Sequence, residues 1–127
     1  MSDVPESIAC LVEAAGVDTV LAFLEAFGGK PFYVPKSAEG SLVSRMFGDE
    51  FAVALARNFG RGAWNVPMCK AWRVTCYRNQ GLSVSEIATR MGLSARQVYT
   101  TLQRAREAGV YVAAPRRYTD DRQISLL

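Results

Sequence analysis

The sequence predicts a mainly α-helical protein with two short strands and a C-terminal helix-turn-helix. Three observations support this fold class. Apolar residues recur at helical spacing in most segments, a helix–glycine–strand pattern occurs twice, and residues 82–106 read as two short helices joined by one glycine. A length of 127 residues, half of them hydrophobic, suits one compact domain or two small lobes.

The N-terminal part predicts two helices, over residues 5–15 and 18–27, with Gly16 between them and Asp18 as the cap of the second helix. Two glycines follow, and then the stretch PFYVP at residues 31–35. Its aromatic and β-branched centre favours a strand. Because proline cannot donate to a ladder, we expect that strand to be short and to lie at an edge or in a two-stranded ribbon.

The same pattern occurs a second time. AFLEAFGGKPFYVP, residues 22–35, matches ALARNFGRGAWNVP, residues 54–67, at a constant offset of 32, and Gly16 recurs as Gly48. A helix and a short strand cannot bury their own apolar face. Two such units are therefore expected to pack on each other, within one chain or between two chains. The alternative is chance similarity between two helix–turn–strand pieces.

Residues 68–79 predict a further helix, with Trp72 and Cys76, and with Cys69 as a further candidate, on one face. Lys70, Arg73 and Arg78 can then stay in solvent. Beyond the helix-turn-helix, residues 110–113 suggest one more short strand.

Two capping boxes mark the helix-turn-helix. Ser83 with Glu86, and Ser94 with Gln97, indicate helix starts eleven residues apart, and Gly92 between them can take the positive φ of a tight turn. A small residue, Ala88, is followed four positions later by Gly92 and six positions after that by the apolar Val98. This order and spacing are those of a helix-turn-helix. A packed pair of helices with a solvated charged face is the alternative.

Positive charge is concentrated in the same part of the chain. Residues 61–106 carry eight basic residues and one acidic residue, a net charge of +7. Residues 1–60 carry four basic and eight acidic residues, a net charge of −4, and residues 107–127 are neutral. A basic block beside an acidic one is typical of a lobe that binds a polyanion, joined to a lobe with another task.

In a helix-turn-helix, the second helix enters the major groove of double-stranded DNA by its N-terminal end. Arg96 can then pair with guanine and Gln97 with adenine, whereas Ser94 and Thr100 suit phosphate oxygens. Tyr99 can contact a thymine methyl group or a phosphate. The predicted DNA-binding residues of this part are Ser83, Ser94, Arg96, Gln97, Tyr99, Thr100, Gln103 and Arg104.

The sequence does not predict an enzyme, a metal site or a cofactor. It has no histidine and no P-loop, and Cys10, Cys69 and Cys76 form no C-x-x-C pair. The adjacent acids Asp49-Glu50 and Asp120-Asp121 could hold Mg²⁺ for nuclease chemistry. Such pairs more often lie at the start of a helix or in a solvent-exposed loop. No run approaches the ~18 apolar residues of a membrane span, so we expect a soluble, cytoplasmic protein with no membrane partner.

Three stretches resemble the Mor/C family of phage transcription activators. GGKPFYVPK and FGRGAWNVP look like that family's glycine turn and short strand, and SVSEIATRMGLSARQVYTTLQRAR looks like its C-terminal helix-turn-helix. The resemblance covers about residues 8–106. It implies a dimerisation region, here residues 1–67, and a DNA-binding domain, here residues 68–106. Residues 107–127 are then a C-terminal extension.

The resemblance also implies that a homodimer binds promoter DNA and recruits host RNA polymerase at the nucleoid of a bacterial cell. The family's glycine turn approaches the DNA between the two half-sites. The matching turn here is Gly60-Arg61-Gly62, and Arg61 could reach into a minor groove.

The expected function is therefore a sequence-specific DNA-binding transcription regulator, an activator from a phage or prophage. A repressor of the same fold is one alternative, and a helix-turn-helix module or phage adaptor that binds protein is another. A single helix-turn-helix contacts few base pairs, which favours a homodimer on two half-sites. The duplicated unit could instead close within one chain.

Overall fold

The computed structural model describes residues 4–34, 41–60 and 62–113, and it divides the chain into two units, Met1–Cys69 and Lys70–Leu127. The elements of the first unit are a 3-10 turn (Glu6–Ile8), α1 (Ala9–Ala15), α2 (Val17–Phe27), β1 (Pro31–Val34), α3 (Leu42–Phe47), α4 (Asp49–Phe59) and β2 (Gly62–Asn65). Those of the second unit are α5 (Lys70–Asn79), α6 (Val84–Met91) and α7 (Ala95–Glu107). The predicted fold class, mainly helical with two short strands and a C-terminal helix-turn-helix, is confirmed.

The first unit repeats one arrangement, in which a helix, a glycine, a second helix, a glycine turn and a strand follow each other. Gly16 joins α1 to α2 with φ +91° and ψ 164°, and Gly48 joins α3 to α4 with φ +97° and ψ 158°. This backbone conformation is essentially restricted to glycine. The repeat therefore includes the helices before the two matched stretches. Gly16 is also the cap of α2, and Asp18, which we expected in that role, lies in the first helical turn.

The two strands form an antiparallel ribbon within the chain, in which Phe32 lies opposite Trp64 and Tyr33 opposite Ala63. Side chains on the inner face of the ribbon are buried or half-buried, and Val34 is only 4% exposed. Tyr33 points to the outer face and is 79% exposed. The predicted two-stranded ribbon is thus present. It forms inside the first unit, between the two copies of the repeated helix–turn–strand arrangement.

Aromatic rings fill the core of the first unit. Phe23 of α2 is fully buried, and its ring centroid lies 4.9 to 5.4 Å from those of Phe27, Phe32, Phe47 and Phe51. The rings meet mostly tilted or edge-on, the arrangements that the charge distribution of aromatic rings favours. Phe23 therefore connects α2 with β1, α3 and α4.

In the second unit, α5 packs against both α6 and α7. The prediction that Arg73 and Arg78 stay in solvent is wrong, because these side chains are only 6% and 5% exposed. Arg78 Nη1 donates a hydrogen bond to the carbonyl oxygen of Leu82 at 3.1 Å. The long apolar stem of arginine can be buried along a helix, and the buried Nε of Arg73 has no hydrogen-bond partner among the described residues.

Residues 110–113 form no strand, contrary to the sequence-based expectation. A short apolar run needs a neighbouring strand to pair with, and the described part of the second unit consists of helices. Here the side chain of Asn79, at the end of α5, takes the place of a partner strand and bonds to the backbone of this run. Its Nδ2 donates to the carbonyl oxygen of Tyr111 at 3.1 Å, and its Oδ1 accepts from the backbone N–H of Ala113 at 2.6 Å.

Candidate nucleic-acid interface

Both capping boxes predicted from the sequence are present. Ser83 Oγ accepts from the backbone N–H of Glu86 at 3.1 Å, and Glu86 Oε1 accepts from the N–H of Ser83 at 2.8 Å. At the start of α7, Ser94 Oγ accepts from the N–H of Gln97 at 3.1 Å, and Gln97 Oε1 accepts from the N–H of Ser94 at 2.9 Å. These four bonds fix where both helices of the helix-turn-helix begin.

The turn between the two helices uses Gly92 at φ +69° and ψ 33°, a left-handed conformation that ends α6. A Cβ built at Gly92 would meet no atom within 4 Å. The backbone conformation, and not a lack of space, therefore favours glycine there.

A buried apolar seam orients α7. Val84 and Ile87 of α6, and Val98 and Leu102 of α7, are at most 2% exposed. Because these residues face the neighbouring helices, the opposite side of α7 is left open. The predicted residues on that side are all exposed: Ser94, Arg96, Gln97, Tyr99, Thr100, Gln103 and Arg104.

Not every side-chain atom on this face is available to a ligand. Gln97 Oε1 is engaged in the cap, and Gln103 Nε2 donates to Glu107 Oε2 at 3.3 Å. Arg96 and Thr100 lie one turn apart, and their side chains form no hydrogen bond with any residue in the described ranges. Bidentate contact of Gln97 with adenine needs both its oxygen and its nitrogen, so Gln97 would have to leave the cap to make it.

Replacing Gln97 with alanine is therefore expected to lower the free energy of unfolding by about 0.5–1 kcal/mol, because one half of the capping box is lost. Gln97→Glu is the matched control, since its carboxylate keeps the acceptor. Thermal denaturation of the three proteins measures the difference. Unchanged stability of Gln97→Ala, together with a changed base preference, would instead assign Gln97 to base reading.

Ser83 differs from the other predicted DNA-binding residues of this unit. It is only 7% exposed, and its hydroxyl and N–H groups are both used in the first capping box. Its structural role at the start of α6 is thus visible, and its burial leaves the hydroxyl little exposed to a phosphate.

Some of the arginines in residues 61–106 make contacts inside the second unit, which the sequence did not indicate. The guanidinium carbon of Arg90 lies 5.1 Å from the ring centroid of Tyr77, which is only 1% exposed. This cation–π contact links α6 to α5. Together with the burial of Arg73 and Arg78, it means that the net charge of residues 61–106 overstates the charge offered to a polyanion. No local pattern in residues 70–91 indicated these contacts.

The remaining predicted residues belong to the glycine turn of the first unit. Gly60 ends α4 with φ +68°, and Gly62 begins β2 with φ +101°. A Cβ at either position would meet nothing within 4 Å, so conformation again favours glycine. Arg61, which we expected near a minor groove, lies outside the described residues.

The acids considered for Mg²⁺ binding are Asp49-Glu50 and Asp120-Asp121. The first pair lies in the first turn of α4, where Asp49 accepts a hydrogen bond from the hydroxyl of Ser44. The second pair lies outside the described residues. Within residues 4–34, 41–60 and 62–113, no group of three histidine, cysteine, aspartate or glutamate residues could hold a metal ion. In the same ranges, no helix is long and apolar enough to cross a membrane.

Comparison with known proteins identifies this part of the chain. Residues 74–108 match the family model described as Sigma-70, region 4. No curated protein and no solved structure matches the chain. The match does not reach the glycine-turn strands on which the Mor/C resemblance also depends, and Mor/C membership is not confirmed. It covers most of α5 together with α6 and α7, so this stretch is a DNA-binding helix-turn-helix similar to region 4 of sigma-70.

Proposed function

We propose that the protein is a sequence-specific transcription regulator that inserts α7 into the major groove of double-stranded DNA. The observation that carries this proposal is the open side of α7, which begins at a capped N-terminus and presents Arg96, Thr100 and Arg104 to solvent. The match of residues 74–108 to region 4 of sigma-70 supports it. The buried seam with α6 supports it as well, because it holds the exposed face in one orientation.

The side chains of this face suit different parts of a duplex. Arg96 and Thr100 lie near the start of α7, which is the end that enters the groove in a helix-turn-helix. Arg96 can donate two hydrogen bonds to one guanine. Arg104 lies two turns further along, where it suits a backbone phosphate. Ser94 and the N-terminus of α7 suit a second phosphate.

Selection of bound sequences from random duplex DNA, at about 150 mM salt, tests the proposal. We expect enrichment of a short motif that contains guanine. A binder that contacts phosphates also loses affinity steeply as the salt concentration rises, because counterions are released. Failure to enrich any sequence would overturn the proposal and favour a helix-turn-helix that binds protein.

Replacing Arg104 with alanine is expected to weaken binding about equally for all duplexes, because a phosphate contact carries no sequence information. The slope of log affinity against log salt concentration should become shallower by about 0.9, the value for one phosphate contact on duplex DNA. Fluorescence anisotropy over a salt series measures both effects. Arg45→Ala, which removes one exposed charge from α3, is the matched control and should leave the slope unchanged.

We further propose that regulation is activation through host RNA polymerase, in the cytoplasm of a bacterium that carries the gene on a phage or prophage. This part of the proposal comes from the Mor/C resemblance of the strands and the helix-turn-helix. Transcription in vitro with purified polymerase, from a template that contains the selected motif, tests the direction. More transcript supports activation, and less transcript would make the protein a repressor of the same fold.

The homodimer expected from the sequence stays a prediction. Two copies of α7 could read two half-sites about one turn of DNA apart, which is how helix-turn-helix proteins usually reach high specificity. The ribbon itself requires no second copy, because β1 pairs with β2 of the same chain. A homodimer would therefore need another contact surface.

A further inference from the structure

The first unit consists of two equivalent halves, residues 9–34 and residues 41–66, whose positions correspond at the offset of 32. In an antiparallel ribbon with two-fold symmetry, the pair on the axis joins two equivalent positions. Phe32 lies opposite Trp64, and these two positions are equivalent. The register of the ribbon and the repeat in the sequence are independent observations. Together they indicate an internal pseudo-two-fold axis through this pair.

The packing between the halves is not interchangeable. Phe23 of the first half contacts the rings of Phe47 and Phe51 of the second half, with centroids 5.4 and 4.9 Å apart. The residues at the equivalent positions are Leu55, Ala15 and Thr19, respectively. Two copies of the first half would therefore leave Phe23 without these rings. The core is therefore complete only where a first half packs against a second half.

Surface charges differ between the halves in the same way. Exposed Glu13 corresponds to exposed Arg45, and exposed Glu25 corresponds to exposed Arg57. At both positions the first half is acidic and the second half is basic. The surfaces of the two halves are therefore not equivalent at these positions.

In place of the homodimer expected from the sequence, we propose that the first unit is a dimer fused within one chain, and that a single chain binds DNA through its one α7 at a site without an inverted repeat. Each chain contains both strands of the ribbon. Its described residues contain one helix-turn-helix, so each complete ribbon is accompanied by a single α7. The statement about DNA rests on the proposed function. The statement about the ribbon does not depend on it.

A cross-link in the ribbon tests the first part. Tyr33 and Ala63 are register partners, and antiparallel partners have Cα atoms about 4.5–5.5 Å apart, within the range that a disulfide spans. Oxidation of the full chain carrying Tyr33→Cys and Ala63→Cys should give a disulfide between positions 33 and 63 at the mass of one chain. Peptide mapping by mass spectrometry identifies the bond.

Each single variant is the control for pairing with the native thiols of Cys10, Cys69 and Cys76. A covalent dimer joined through positions 33 and 63 of two chains would overturn the proposal, because the ribbon would then form between chains. Failure of the double variant to form the 33–63 bond would also overturn it, since the register would be wrong.

Sedimentation of the chain with the selected duplex tests the second part. We expect one chain per duplex and a motif without an inverted repeat. Two chains on an inverted repeat would overturn the inference about DNA, even where the ribbon closes within each chain. If no duplex is enriched, the proposed function fails, whereas the cross-link still decides whether the first unit is a fused dimer.

Discussion

Replacing Arg96 with alanine should weaken binding to the preferred duplex by about 1–3 kcal/mol, roughly a 5- to 150-fold loss of affinity. Arg96 is exposed in the first turn of α7, and its side chain forms no hydrogen bond with another residue of the described ranges. Its guanidinium is therefore available for the two acceptors of a guanine. Binding to the preferred duplex, and to duplexes in which each guanine is replaced in turn, measures the effect.

Arg96→Lys separates charge from geometry. Lysine keeps the positive charge but lacks the planar pair of donors, so it should retain phosphate attraction and lose most of the discrimination between bases. Arg96→Ala should also bind the substituted duplexes with nearly equal affinity. If Arg96→Ala lost affinity equally for all duplexes, Arg96 would be a phosphate contact and not a base contact.

Replacing Phe23 with alanine should lower the free energy of unfolding of the first unit by about 3–5 kcal/mol, a large part of the stability of a small domain. The ring is fully buried and contacts four other phenylalanine rings from four elements. Its removal leaves a cavity that these elements cannot close without moving. Amide hydrogen exchange should show lost protection in α2 and α4 and unchanged protection in α6 and α7.

Phe23→Leu is the matched control, because leucine stands at the equivalent position 55 of the second half. It fills most of the space and should lower the stability by clearly less than alanine does. A change of less than about 1 kcal/mol for Phe23→Ala would show that the ring is not central to the core.

Features that depend on neighbouring residues in the chain could be predicted from the sequence. Each capping box joins residues three positions apart, so Ser83 and Ser94 indicated the helix starts without any knowledge of the fold. Gly92 marked the turn for the same reason. The repeat was also visible in the sequence, and the prolines on both sides of residues 32–34 predicted a short strand at an edge or in a two-stranded ribbon, which β1 forms with β2.

Features that depend on distant contacts could not be predicted in this way. Arg73 and Arg78 lie off the face of Trp72 and Cys76 and were expected in solvent, yet α5 is covered by both α6 and α7. The pattern of one helix does not show how many neighbours cover it. Likewise, the contact of Arg90 with the ring of Tyr77 joins two helices, and no local pattern in the sequence indicated it.

The pairing of β1 with β2 inside one chain also has a consequence at low protein levels. A ribbon shared by two molecules comes apart on dilution, whereas one that joins two segments of the same molecule keeps its high effective concentration. A few molecules per cell can thus keep the first unit assembled. In addition, a homodimer must tolerate every mutation twice, once on each side of its axis. Here each half can change alone, so Phe23 can pack against Phe47 and Phe51 of the other half although the positions equivalent to these two hold Ala15 and Thr19.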